Sequence, residues 1–184
     1  GEHLDGSFAK YVGGASAVSS KKSDIVEAAF VNAAFWFIPA SALKKVGGFS
    51  PLFFHYGEDV DYIHRMRFYG YRVGYTPLTS GCHDRQNRPI TRETQMKLDR
   101  VYYLSVVSDL NSGLAKCLWG GLAPLKPGML ALLRGRFKEF CFYTGTSVRL
   151  LCRYLSIAEI KRFCKQGRPV FLENVHSKIK PIWS

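Results

Sequence analysis

The chain has 184 residues, 47% apolar and 22% charged, which is ordinary globular usage and excludes a disordered chain. Its five cysteines are odd in number and form no Cys-x-x-Cys pair, which excludes a disulfide framework or zinc ribbon and suits a reducing compartment. The net charge of +12 is lopsided: residues 1–111 carry 13 Lys and Arg against 11 Asp and Glu, whereas residues 112–184 carry 13 against 3.

Residues 1–24 are rich in Gly, Ser and Lys and read as loop around a short strand at 8–12. Residues 27–38 (EAAFVNAAFWFI) are apolar throughout, too short for a buried helix with Pro39 following, and read as a strand buried on both faces. The longest uncharged run, 28–43, holds Asn32 and Pro39 and falls short of the roughly 20 apolar residues of a membrane span. The opening residues lack the basic region and apolar core of a signal peptide, so a soluble or peripheral chain is expected. Pro39 suits the first turn of a helix over Ala40–Val46, with Gly47 as its stop.

An aromatic loop, Gly48 to Gly57, leads into a predicted helix over residues 58–69 with an inward stripe of Tyr62, Ile63, Met66 and Tyr69. Residues 71–76 alternate as a strand does, and a polar loop runs through Cys82-His83-Asp84. From the N-cap Thr91 the pattern turns helical, with Met96, Tyr103, Leu104, Val107 and Leu110 on one face. Further helices are expected near 127–142, 145–155 and 157–166, the last opened by a Ser156/Glu159 capping box. A boundary near 111 separates an α/β part from a basic helical part.

Glu58 and Asp59 open the helix at 58, where the macrodipole favours negative charge, and decoration of a helix start is their plainest reading. Asp59, however, stands three residues before Tyr62 on the inward stripe, behind a glycine and a run of aromatics. Burial there would raise its pKa while the helix end lowers it, leaving a base that stays ionised yet accepts a proton.

The run Gly47-Gly48-Phe49, then Phe54-x-Tyr56-Gly57-Glu58-Asp59-Val60-Asp61, then Arg65, Gly70-Tyr71 and Pro77, with His83 after it, resembles glycosyltransferase family 2. The likeness covers residues 25–100 and is nearest to bacterial rhamnosyl- and galactofuranosyl-transferases. It implies an α/β fold: residues 1–111 as the C-terminal, acceptor-side part of a GT-A nucleotide-diphospho-sugar transferase domain with a mixed sheet, and 112–184 as a basic helical extension. It implies an inverting enzyme that uses a nucleotide-sugar donor and a saccharide or lipid-linked acceptor. Asp59 would be the general base that deprotonates the acceptor hydroxyl, and Glu58 would shape that site. Tyr56, Gly57, Trp36 and Asn32 would border the acceptor, although core packing explains Asn32 and Trp36 equally well. His83 would help to hold the donor's divalent metal, Mn or Mg, a loop histidine without partner being the alternative.

Asp59-Val60-Asp61 also spells Asp-x-Asp, the metal–diphosphate signature of such enzymes, but it opens a helix instead of following a buried strand. Asp61 is expected to point away from the inward stripe, toward solvent or an Arg65 partner at i+4. The metal motif and the nucleotide-binding half are therefore expected outside this chain, which alone is expected to be inactive. No Arg-Trp pair follows the base, which favours transfer of single sugars over processive synthesis. A non-catalytic carbohydrate-binding or assembly module is the other class that this pattern allows.

After Gly113 the chain mixes Leu, Phe and Trp with Arg and Lys; Met129, Leu130, Leu133, Phe137 and Phe140 make one apolar face beside Arg134 and Lys138. Such a face reads either as binding a membrane surface or as packing against the catalytic part or a second subunit of a homo-oligomer. No recognition motif accompanies the charge, so nucleic acid is not an expected partner. The expected location is cytoplasmic, peripheral at the inner face of the cell membrane.

Overall fold

The computed structural model describes residues 25–31, 33, 35–53, 56–76, 89–166, 171–172 and 183. Strand β1 (Val26–Glu27) pairs antiparallel with β2 (Gly74–Tyr75), Val26 opposite Tyr75 and Glu27 opposite Gly74. Between them lie α1 (Ala40–Val46) and α2 (Glu58–Phe68). Five helices follow: α3 (Arg92–Ser108), α4 (Leu114–Leu122), α5 (Leu125–Leu133), α6 (Phe137–Cys152) and α7 (Tyr154–Lys165).

The expected α/β fold with a mixed sheet is overturned. Among the described residues the architecture is helical, and sheet is confined to that two-residue ladder. A strand buried on both faces needs partners for its N–H and C=O groups along its length. In residues 27–38 the ladder ends once Ala28 N donates to Val73 O (2.9 Å). Beyond it the described residues are irregular, with Phe37 97% exposed. An apolar run without alternation cannot by itself distinguish a paired strand from other conformations. The expected strand over 71–76 likewise shrinks to Gly74–Tyr75, and the one near residue 8 lies outside the described residues.

Helix ends follow local chemistry more closely. Pro39 stands immediately before α1 and Gly47 (φ 90°) after it. Thr91 caps α3, its hydroxyl accepting from Thr94 N at 3.1 Å. The helix expected over 127–142 is instead two. Gly135 takes a left-handed conformation (φ 69°), with Gly135 N donating to Leu132 O and Arg136 N to Ala131 O, which closes α5 before α6 begins. The break expected between residues 142 and 145 is absent, both lying inside α6. The Ser156/Glu159 capping box is not used, because α7 already begins at Tyr154 and shows no side-chain cap.

Helix α3 is the hub of the core. Its Leu104 and Val107, with Leu110 just beyond, pack with Leu150 of α6, with Ile157, Ile160 and Cys164 of α7, and with Leu52 and Phe53 from the loop before α2. Residues from both sides of position 111 thus share one core. Each such side chain contributes about 1.5–3 kcal/mol on burial. Polar links add register between α3 and α6: Arg92 Nη2 meets Glu139 Oε2 at 2.6 Å and Tyr143 Oη donates to Asp99 Oδ2 at 2.6 Å. Cys117, Cys141, Cys152 and Cys164 are free thiols. Burial pushes the Cys164 thiol up to about 12.

Candidate functional site

The turn into α2 is built from two successive left-handed residues, Tyr56 (φ 68°) and Gly57 (φ 83°). The conformation suits Gly57 but is costly for a bulky aromatic such as Tyr56, so the surrounding contacts must hold the turn in place. Gly57 is also buried so tightly that a Cβ there would stand 2.3 Å from Val101 Cγ1 and 3.0 Å from the Phe53 ring. No other residue type fits without moving α2 away from α3.

Arg65 holds α2 from the other side. It is 1% exposed, with Nε donating to Asp61 Oδ2 (2.9 Å), Nη1 to Val46 O (3.0 Å) and Nη2 to Gly48 O (2.7 Å). The guanidinium also lies over the Tyr62 and Phe171 rings, 4.9 and 5.6 Å from their centroids. It therefore satisfies the C-terminal carbonyl of α1, the following turn and the first turn of α2 at once. Asp61 does pair with Arg65, but it does not point away from the interior: it is buried. A guanidinium enclosed in the core needs its counter-charge inside with it, and that outweighs the helical stripe. The bond to Arg65 occupies one Asp61 oxygen and holds its carboxylate away from any site it could share with Asp59.

The remaining two acids of this turn are disposed differently. Glu58 and Asp59 are each half-buried and make no ion pair among the described residues. Asp59 Oδ1 accepts from Val60 N at 2.8 Å. Glu58 Oε2 is enclosed without a hydrogen-bond partner among the described residues, as is the hydroxyl of Tyr62 one turn on. Burial raises the Tyr62 phenol above its ordinary pKa, the nearby Arg65 charge opposing this in part. A half-buried base beside unsatisfied polar atoms at a helix N-terminus can bind a hydroxyl and take its proton.

Tyr62 belongs to an aromatic group with Trp36 and Phe49, ring centroids 5.2–6.2 Å apart. Trp36 Nε1 donates to Val31 O at 3.2 Å. Trp36 and Tyr62 wall a largely apolar cavity of about 760 Å³, also lined by Ile25, Met66, Tyr71 and Tyr75. Glu58 and Asp59 are not among its lining residues. The structure thus brings Trp36 against Tyr62, and it places Tyr56 and Gly57 next to the two acids. Asn32 and His83 lie outside the described residues. Sequence reasoning missed Tyr62 as a polar group, having counted it only as apolar stripe; its position one turn after Glu58 was the available signal.

The described residues form no cluster of three or more His, Cys, Asp or Glu that could hold a metal ion. His83, the metal ligand expected from this chain, lies outside them. A second polar group joins α2 to the entry of α4. Asp109 accepts from Asn111 N (2.9 Å), Asn111 Nδ2 (2.9 Å) and Ser112 Oγ (2.8 Å), with His64 Nδ1 at 3.8 Å and Lys116 Nζ at 3.9 Å. Burial alone would raise the Asp109 pKa, but these hydrogen bonds and His64 hold it below the ordinary carboxylate value. Its complete set of partners marks it as structural. No protein-family model, curated protein or solved structure matches this chain.

Proposed function

We propose that this chain supplies the base and acceptor side of an inverting sugar transfer from a nucleotide-sugar donor to a saccharide or lipid-linked hydroxyl. The observation that carries the reading is the division of labour in the first turn of α2. Asp61 is committed to Arg65, while among the described residues Asp59 has no ion-pair partner and Glu58 keeps an enclosed oxygen without a hydrogen-bond partner. A turn held by Gly57 and Arg65 from both sides fixes where these two carboxylates stand, which base catalysis requires.

In this reading Glu58 accepts a hydrogen bond from one acceptor hydroxyl and positions the sugar. Asp59 takes the proton of the attacking hydroxyl as its oxygen bonds to the donor's anomeric carbon from the face opposite the nucleoside diphosphate. That leaving group departs with the electron pair of the broken glycosidic bond, and the configuration inverts. Tyr56 and Trp36 offer aromatic faces on which a pyranose ring can stack, with the buried Tyr62 ring supporting Trp36 from behind.

The test is transfer of labelled sugar from a panel of UDP-, GDP- and dTDP-sugars to a glycan acceptor by protein containing this chain. Asp59→Asn should lower turnover by about 10²-fold or more with donor binding little changed, because a base acts in the transition state. Glu58→Gln should be milder and raise KM for the acceptor. Full turnover in Asp59→Asn would remove the assignment.

A further inference from the structure

We propose that α4 and α5 form a lipid-facing hairpin that seats the protein on an anionic membrane surface. The two helices are built inside out. Their buried positions are Cys117, Gly120, Gly121, Gly128 and Ala131, all small. Their large apolar side chains face outward: Leu118, Trp119, Leu122, Met129, Leu130 and Leu133, with Trp119 73% and Leu133 80% exposed.

The small residues let the backbones approach their neighbours closely. A Cβ on Gly120 would stand 2.8 Å from Val106 Cγ1 of α3, one on Gly121 3.0 Å from Leu151 Cδ2 of α6, and one on Gly128 3.3 Å from Tyr143 Cβ of α6. A water-facing hairpin has the opposite distribution, with large apolar residues inside and polar ones outside. Small residues between helices and large apolar ones outside are what a hydrocarbon surrounding selects.

Charge identifies the occupant. Residues 110–138 contain no Asp or Glu but hold Lys116, Lys126, Arg134, Arg136 and Lys138. Lys126 and Arg134 stand exposed on α5 and at its end, in no ion pair among the described residues. A second copy of this chain would bring the same cations against them, whereas anionic headgroups would neutralise them. Neither helix crosses the membrane: each has nine residues, about 14 Å, against a hydrocarbon core of about 30 Å. No described helix is long and apolar enough to span. The hairpin therefore lies in the headgroup region with its outer side chains in the acyl boundary. This placement holds whatever reaction the turn at Glu58 and Asp59 carries.

The experiment is co-sedimentation of the 184-residue chain with vesicles of phosphatidylcholine alone or mixed with phosphatidylglycerol. Binding should be at least about tenfold tighter to the anionic vesicles, and Trp119 emission should shift to the blue there. The shift should be missing in Trp119→Phe, and brominated acyl chains should quench the wild-type signal. Leu118→Asp with Leu133→Asp should lower binding about tenfold or more, with circular dichroism unchanged because both positions are exposed. Lys126→Glu with Arg134→Glu should lower it at least roughly fivefold per residue reversed, since each reversal removes an attraction and adds a repulsion. Absence of vesicle binding, equal binding to both compositions, or no quenching by brominated chains would overturn the proposal. So would a stable dimer, broken by Leu133→Asp, that ignores vesicles.

Discussion

Residues 40–76 and residues 114–152 both hold short helices against α3, and they do so by opposite means. The first region relies on one buried cation that ties three backbone or side-chain acceptors together. The second relies on missing side chains, with glycine and alanine letting helices touch along their backbones. A polar lattice fixes directions, so the carboxylates of Glu58 and Asp59 stand in set positions, but the loss of one member unbalances all the others. A shape-based contact tolerates single polar losses and leaves large side chains free to face outward. The contrast predicts where each region fails.

The largest effect is expected at Arg65. Arg65→Met keeps the volume but leaves the Asp61 carboxyl group buried without its partner, and the Val46 and Gly48 carbonyls without donors. Removing one member of a buried pair costs about 3–5 kcal/mol. Urea unfolding followed by near-ultraviolet circular dichroism measures it. Adding Asp61→Asn should recover part of the loss, because the stranded carboxyl group is then gone. A loss below about 1 kcal/mol for Arg65→Met would show that the first region is not held by its guanidinium.

Asp109 comes next, at the junction of the two regions. It receives hydrogen bonds from Asn111 and Ser112 and lies near His64 of α2 and Lys116 of α4. Asp109→Ala should cost about 2 kcal/mol, the usual range for hydrogen bonds to a charged group. The folded pKa lies below the unfolded one, so the carboxylate's contribution is present in full above the unfolded value of about 3.9. It is lost as pH falls through the folded pKa. Stability of the wild type should therefore fall more steeply below pH about 4 than that of Asp109→Asn, measured by thermal unfolding across a pH series. Parallel curves would place the acid sensitivity elsewhere.

Much of the helical layout was legible because it rests on local chemistry. Pro39 and Gly47 around α1, Gly57 before α2 and Thr91 before α3 are end signals that act within one turn. The sheet was not legible, since residues 27–38 carry the composition of a buried strand but pairing depends on neighbours far along the chain. The partnership of Asp61 with Arg65 followed from their i, i+4 spacing. Its burial did not, because it depends on Val46 and Gly48, which lie 17–19 residues before Arg65. The Asp-x-Asp spelling misleads for the same reason, as Asp59 and Asp61 face different surroundings despite their spacing. In the basic half, the apolar face at Met129, Leu130 and Leu133 was visible, whereas its outward direction depended on where Gly120, Gly121 and Gly128 meet α3 and α6.

The smallest effects compare two helical glycines in the second region, and here the sign decides. Alanine is favoured over glycine inside a helix by about 1 kcal/mol. At Gly145 of α6 a Cβ meets nothing within 4 Å, so Gly145→Ala should stabilise the protein by about 0.5–1 kcal/mol. At Gly120 of α4 the new methyl would press on Val106, whose β-branched side chain has little freedom to turn aside. Overpacking of this kind costs about 1–3 kcal/mol, which exceeds the propensity gain and leaves Gly120→Ala destabilised by about 1 kcal/mol. Thermal unfolding of both variants reads the difference directly. Opposite signs mean that close backbone approach holds α4 to α3. If Gly120→Ala also stabilises, helix propensity governs both sites and α4 is not held in place by shape.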